Sequence, residues 1–141
     1  MTPEELVNLQ NATLETPEFS LQNKKLLCKV VDVYDGDSVK VVFYTSNTLH
    51  KWSVRLTGIN TPELRPSRKL ENRIEIIKRA KESRDHLKKI FEKNNNLVYI
   101  LCGDFGKYGR LLGTFFTHET NNDFEYSINY QMIQDGYANV Y

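Results

Sequence analysis

Apolar positions along this chain recur first at helical spacing, then at strand spacing, and each stretch predicts its own element. Thr2-Pro3-Glu4-Glu5 places threonine at an N-cap, proline at N1 and glutamate at N3, ahead of Leu6 and Leu9, so a short capped helix opens the chain. Thr16-Pro17-Glu18 restarts it, and residues 1–23 read as an acidic helical extension before a main domain at 24–141. From Leu26 to Tyr34 the residues turn β-branched and apolar, Asp35-Gly36 signals a turn, and Ser38 to Tyr44 reads as the returning strand. Leu49 to Thr57 is a third strand, with Leu49, Trp52, Val54 and Leu56 at most of its apolar positions.

A long helix is predicted from Ser67 to Lys93, where Leu70, Ile74, Ile77, Ala80, Leu87 and Phe91 mostly recur at three- or four-residue steps. Asn94-Asn95-Asn96 ends it. Leu97 to Cys102 and Arg110 to Thr117 read as further strands joined by a glycine-bearing turn, and a short helix from Ser127 to Gln134 stops at Asp135-Gly136. Three strands, a helix and two more strands is the order of a five-stranded OB-fold barrel with helices, an α+β architecture.

Composition changes this picture little. The hydrophobic fraction of 40% and charged fraction of 26% are those of an ordinary globular domain. No apolar run reaches the ~20 residues that span a bilayer, so no membrane is expected as a partner. The N-terminus lacks the pattern of a secretory signal, which sets the expectation of an intracellular protein, cytoplasmic, nuclear or viral. Cys28 and Cys102 sit in strand-like apolar runs and read as buried free thiols, and His50, His86 and His118 lie too far apart for a zinc motif.

The net charge of +1 hides an asymmetry. Residues 1–22 carry Glu4, Glu5, Glu15 and Glu18 and no cation, a local charge of −4, whereas residues 65–93 hold eleven basic and five acidic side chains, a local +6. Charge alone describes the solvated side of a helix. It also suits attraction of a nucleic-acid strand.

Candidate chemistry lies at three places. Asp35-Gly36-Asp37 offers two carboxylates at a strand's start, hard oxygen ligands for calcium or magnesium, although aspartate and glycine also build ordinary turns. Asn60-Thr61-Pro62-Glu63 follows the third strand, and its glutamate is placed to take a proton from water; Thr-Pro-Glu nevertheless occurs three times in the chain, twice as a helix start. Arg55 and Arg110 lie in or at strands, and two guanidiniums aimed at one pocket suit bidentate phosphate binding.

Taken in order, Asp35-Gly36-Asp37-Ser38, then Arg55-Leu56-Thr57-Gly58-Ile59-Asn60-Thr61-Pro62-Glu63, then Lys107-Tyr108-Gly109-Arg110 resembles the signature of the staphylococcal nuclease, or thermonuclease-like, family. That family shows DGDT, R-L-x-x-[IV]-D-T-P-E and K-Y-G-R on the same succession of strands. The likeness takes in Ala80 and Leu87 of the long helix and Gly136-Tyr137-Ala138-Asn139-Val140, and spans about residues 25–141.

The resemblance implies a five-stranded OB barrel and calcium-dependent hydrolysis of phosphodiester bonds in DNA and RNA with little sequence specificity. It implies Asp37 as a calcium ligand, Thr61 contributing its backbone carbonyl, and Asp35 close by through water. Glu63 stands at the proposed general base, with Arg55 and Arg110 holding the phosphate. Lys107, Tyr108, Tyr137 and Tyr141 are candidate contacts to the nucleic acid, the tyrosines by stacking.

Three departures matter. Asn60 replaces a second calcium-binding aspartate; its amide oxygen still ligates but brings no charge, which predicts a weaker calcium site. Ser38 replaces threonine, a mild change. The chain stops at Tyr141 where family members continue into a further helix, so the N-terminal helix, with Leu6, Val7, Leu9 and Leu14, is expected to dock on the barrel in its place. Two other readings stand beside the nuclease: a catalytically weak or inactive module binding nucleic acid or protein, and a subunit docking to a larger assembly through the acidic arm or the truncated C-terminus.

Overall fold

A closed barrel forms the body of the protein in the computed structural model, which describes every residue from Met1 to Tyr141. Helix α1 (Pro3–Gln10) comes first, followed by strands β1 (Lys25–Asp35), β2 (Ser38–Thr45) and β3 (Thr48–Leu56). A two-residue strand β4 (Ile59–Asn60) leads to helix α2 (Arg73–Lys93), then β5 (Leu97–Phe105) and β6 (Leu111–Phe116). Helix α3 (Ile128–Gln134) and a second two-residue strand β7 (Asn139–Val140) complete the chain.

Around the barrel the strands run β1-β2-β3-β6-β5, all pairs antiparallel except β3 with β6, which closes the barrel in parallel over Val54–Leu111 to Leu56–Gly113. Strand alternation fills the interior: Val39, Val41 and Phe43 of β2, Val54 and Leu56 of β3, and Leu111 and Phe115 of β6 are buried. Helix α2 closes one side, setting Leu87, Ile90 and Phe91 against this core, with Phe91 meeting Phe115 edge to face at 5.3 Å. Each such buried side chain contributes about 1.5–3 kcal/mol of transfer free energy.

Parallel closure leaves the seam between β3 and β6 short, and a buried polar side chain finishes it. Asn129 of α3 donates to the carbonyls of Thr57 at 2.9 Å and Gly113 at 3.1 Å, and its Oδ1 accepts from the Phe115 amide at 3.0 Å. The adjoining ladder of β4 on β7 pairs Asn60 with Asn139, and the Tyr141 amide bonds the Gly58 carbonyl at 3.0 Å. These bonds bring the C-terminal residues back to the end of β3.

The N-terminal expectation is corrected. Helix α1 forms with the predicted capping box, but none of its residues is buried, and Leu6, Val7, Leu9 and Leu14 are exposed. Leu6, Val7 and Leu9 are the only large apolar side chains of the helix, too few to compensate for ordering it against the barrel. What docks instead is the end of the extension. Leu21 enters the core, and Phe19 stacks parallel to Trp52 at 6.5 Å, with Phe105 beside both.

The long helix also starts later than its spacing predicts. Ser67 forms its own turn, its hydroxyl accepting from the Lys69 amide at 3.3 Å and its carbonyl from Leu70 at 3.2 Å, which competes with a helical start. Leu70 and Ile74 are consequently exposed, and the packed face begins at Ala80. No helix is long and apolar enough to cross a membrane.

Candidate active site

The Asp35-Gly36-Asp37 turn is held in place from below by a close approach. A Cβ on Gly36 would fall 2.8 Å from Thr61 Cγ2 and 2.9 Å from Ser83 Cβ, so only glycine lets the turn lie between the loop after β4 and helix α2. Asp35 Oδ1 accepts from the Asp37 amide at 3.1 Å, the local bond that shapes the turn and sets both carboxyl groups together.

Asp37 is the hub of the site, and it is buried. Its Oδ2 accepts from the Thr61 amide at 3.0 Å, tying the strand's start to the loop that carries Glu63. Its Oδ1 accepts from the Ser38 hydroxyl at 3.1 Å. Arg55 Nη1 stands 3.1 Å from Oδ2, an ion pair by proximity, but the N–H is not aligned on the oxygen and that nitrogen has no hydrogen-bond partner. Arg55 Nη2 donates to the Ile59 carbonyl at 3.2 Å and, at a long 3.4 Å, to Asn60 Oδ1. Arg110, just ahead of β6, donates from Nη1 to the Ser38 hydroxyl at 3.3 Å.

Two guanidiniums, one in β3 and one at the turn before β6, therefore converge on the Asp37-Ser38 step. Register explains Arg55, which lies directly across from Ser38 in the β2–β3 pair. The hairpin explains Arg110: the Gly106 amide bonds the Arg110 carbonyl at 2.7 Å, which folds the β5–β6 turn back on itself. Lys107-Tyr108-Gly109 makes a single 3-10 turn there, with Tyr108 at φ 63° and 93% exposed.

A cavity of about 250 Å³ opens between these groups, lined by Arg55, Arg110, Lys107, Tyr108, Leu112 and Tyr141 among others. Tyr141 covers it from the C-terminus, its ring centroid 5.3 Å from Arg55 Cζ, a cation–π distance. Five of the residues singled out from sequence thus line one pocket, Arg55, Lys107, Tyr108, Arg110 and Tyr141, and Asn60 touches it through Arg55. Asp35, Asp37 and Thr61 adjoin it through the bonds just described.

Two of the sequence candidates stand outside this cluster. Glu63 is exposed, on the loop two residues past Thr61, and makes no hydrogen bond or ion pair. Tyr137 lies in the bend between α3 and β7, stacked on His86 at 4.1 Å and 18° while its carbonyl accepts from Ser83 at 2.7 Å. Its role here is packing α3's end against α2.

Burial, and then the neighbouring Asp37, push the Asp35 carboxyl up to about 6. Thr61 adds a buried hydroxyl oxygen without a partner, and Asn60 a neutral amide oxygen. Two carboxylates with neutral oxygens are a hard donor set of the kind calcium takes. The set is lean: no group of three aspartate, glutamate, histidine or cysteine side chains gathers anywhere in the protein.

Comparison with known sequences gives the family. Residues 53–141 match the family described as staphylococcal nuclease homologue. The chain belongs to this family. Its closed mixed barrel with helical additions is the OB-type fold expected of a staphylococcal nuclease homologue, and the family is of nuclease type. An uncharacterized protein of Methanocaldococcus jannaschii is 33% identical over 126 residues. The alignment covers 80% of this chain and 58% of that relative, so the chain spans little more than half of the curated relative's length.

Two parts of this cluster were hard to read from the sequence. Ser38, read only as a mild replacement, bridges Arg110 to Asp37, and its position inside the Asp-Gly-Asp-Ser run was the available signal. The β4–β7 ladder that carries Tyr141 to Arg55 is too short for any periodicity to announce it.

Proposed function

We propose that this protein is a calcium-dependent nuclease that hydrolyses phosphodiester bonds in DNA or RNA with little sequence specificity. The observation that carries this reading is the convergence of Arg55 and Arg110 on Asp37 and Ser38, at 3.1 and 3.3 Å, beside a cavity open to solvent. A structural role needs no second guanidinium at that step.

A phosphodiester is already anionic and repels an incoming nucleophile. Arg55 and Arg110 offer planar forks to its non-bridging oxygens and hold the extra negative charge that develops in the transition state. Asp37 and Asp35, with oxygens of Thr61 and Asn60, are the residues that would hold calcium, which neutralises phosphate charge when bound. Glu63 takes the proton of the attacking water as the new P–O bond forms; the opposite P–O bond breaks and its oxygen leaves with a proton from solvent. Lys107, Tyr108 and Tyr141 border the phosphate site and contact the strand on either side.

A binding module without turnover is the second reading, favoured by Asn60 in place of a charged ligand and by the unpartnered position of Glu63. Digestion of a single-stranded oligonucleotide separates the two. The nuclease reading expects cutting with calcium, none with EDTA, and a loss of about 10²-fold or more in Glu63→Gln, in the range of positioned proton transfer. Strand binding with no cutting at any calcium concentration would transfer the case to the binding module.

A further inference from the structure

Strand β1 carries two bulges, and the second one serves the site. Val33 lies opposite Val39 and Asp35 opposite Ser38, so Tyr34 is the extra residue with no partner on β2. A bulge re-aims side chains next to it. Here it turns Tyr34 and Asp35 into the same outer groove, a cavity of about 300 Å³ that Ser38, Lys40, Ser53 and Arg110 also line. Tyr34 is 51% exposed and makes no aromatic or hydrogen-bonded contact.

Register places this groove one step along from the arginine pair. Ser38 lies beside Arg55 and Lys40 beside Ser53 across the β2–β3 pair. Residues two apart on a strand share a face and stand ~6.5–7 Å apart, so Lys40 and Ser53 form the next row on the outer barrel wall. Arg110 borders both this groove and the pocket under Tyr141, which makes one continuous surface on the two sides of its guanidinium. The groove's charges decide what it can hold. Lys40 and Arg110 are offset by Asp32 and Asp35, so the floor takes no run of phosphates; a neutral base and sugar meet an open ring and a hydroxyl there, with Lys40 left for a single phosphate.

We propose that the Tyr34 groove is a second nucleotide subsite, in which Tyr34 stacks on the base one nucleotide beyond the pair that flanks the scissile phosphate, a base that a dinucleotide lacks, and Lys40 meets the phosphate joined to it. The proposal rests on the nuclease reading above and adds a direction to it: the strand crosses the barrel wall from Tyr141, over Arg55 and Arg110, to Tyr34.

The test is fluorescence anisotropy of labelled oligothymidylates of two and eight nucleotides with wild-type protein, Tyr34→Ala, Tyr34→Phe and Lys40→Ala, beside cutting of the longer one. Loss of one stacked base weakens binding by about tenfold, so Tyr34→Ala should lose about that much on the octamer and far less on the dimer. Tyr34→Phe should restore it, because the ring is kept. Lys40→Ala should lower the slope of log affinity against log salt by about one.

A wild type that binds and cuts the octamer while Tyr34→Ala matches it at both lengths would overturn the subsite and leave the nuclease standing. Equal loss at both lengths would overturn it as well, by showing that Tyr34 acts at the phosphate itself. A wild type that neither binds nor cuts the octamer would instead overturn the reading on which the subsite rests.

Discussion

Tyr141 lays its ring over the guanidinium of Arg55, 5.3 Å from ring centroid to Cζ, just past the short ladder of β7 on β4. The ring sits on the one arginine that also touches Asp37, and it hinders that side chain from swinging into solvent. Tyr141 is 81% exposed, so its removal leaves no cavity in the core. Tyr141→Ala should change the melting temperature little and reduce kcat/KM for oligonucleotide cleavage by about fivefold to tenfold, a cation–π contribution of about 1 kcal/mol. Tyr141→Phe should behave as wild type. Loss of stability in Tyr141→Ala, with unchanged kinetics, would assign the residue to packing alone.

Asn129 makes three hydrogen bonds in a fully buried setting, each to a backbone group of the β3–β6 seam. Asn129→Leu fits the space approximately but leaves the Phe115 amide and the Thr57 carbonyl unpaired, while the Gly113 carbonyl keeps the Thr57 amide at 2.9 Å. Each buried unsatisfied group costs about 1–3 kcal/mol, so the loss in urea unfolding should be at least about 2 kcal/mol. A stability within 0.5 kcal/mol of wild type, the range of about ±0.5 expected of surface changes, would show that water replaces the amide there.

Asn60 accepts from Arg55 at 3.4 Å with a neutral oxygen. Asn60→Asp adds a charge to a lean donor set, and calcium affinity follows ligand charge. Half-saturation of activity should lie near millimolar calcium in the wild type and fall by about tenfold in the variant. Micromolar half-saturation in the wild type would mean that other oxygens complete the site.

Burial pushes the Cys28 thiol up to about 12 and the Cys102 thiol up to about 11. A raised value keeps the thiol protonated, and thiolate is the reactive form, so both should resist a thiol reagent at pH 8. Reaction should be slow in buffer and fast in denaturing urea. Rapid labelling of the folded protein would place at least one of them in a locally opened strand.

The barrel was legible in the sequence because strand spacing and turn chemistry agreed. Asp35-Gly36 marked the first hairpin, and of the apolar positions that spacing marked in the third strand the structure buries Val54 and Leu56 and leaves Leu49 exposed. The converging arginines were legible only through the order of three weak motifs. What was illegible depended on tertiary contact. The apolar spacing of Leu70 and Ile74 is helical, but nothing lies opposite for them to cover. In the same way α1 has its cap and its leucines yet no docking surface, while Phe19 and Leu21, without any periodicity, found theirs. The bulge at Tyr34 arises from pairing register, which a single strand's sequence does not contain.

The convergence of Arg55 and Arg110 is most directly tested by cleavage of a single-stranded oligonucleotide in millimolar calcium by wild type, Arg55→Ala and Arg110→Ala, with strand binding measured alongside. Each variant should lose about 10²–10³ in kcat, the usual cost of removing one preorganised donor to the transition state. Loss of kcat should exceed any loss of strand affinity. A wild type that binds the strand but never cuts it, or an Arg110→Ala that cuts at the wild-type rate, would contradict the account.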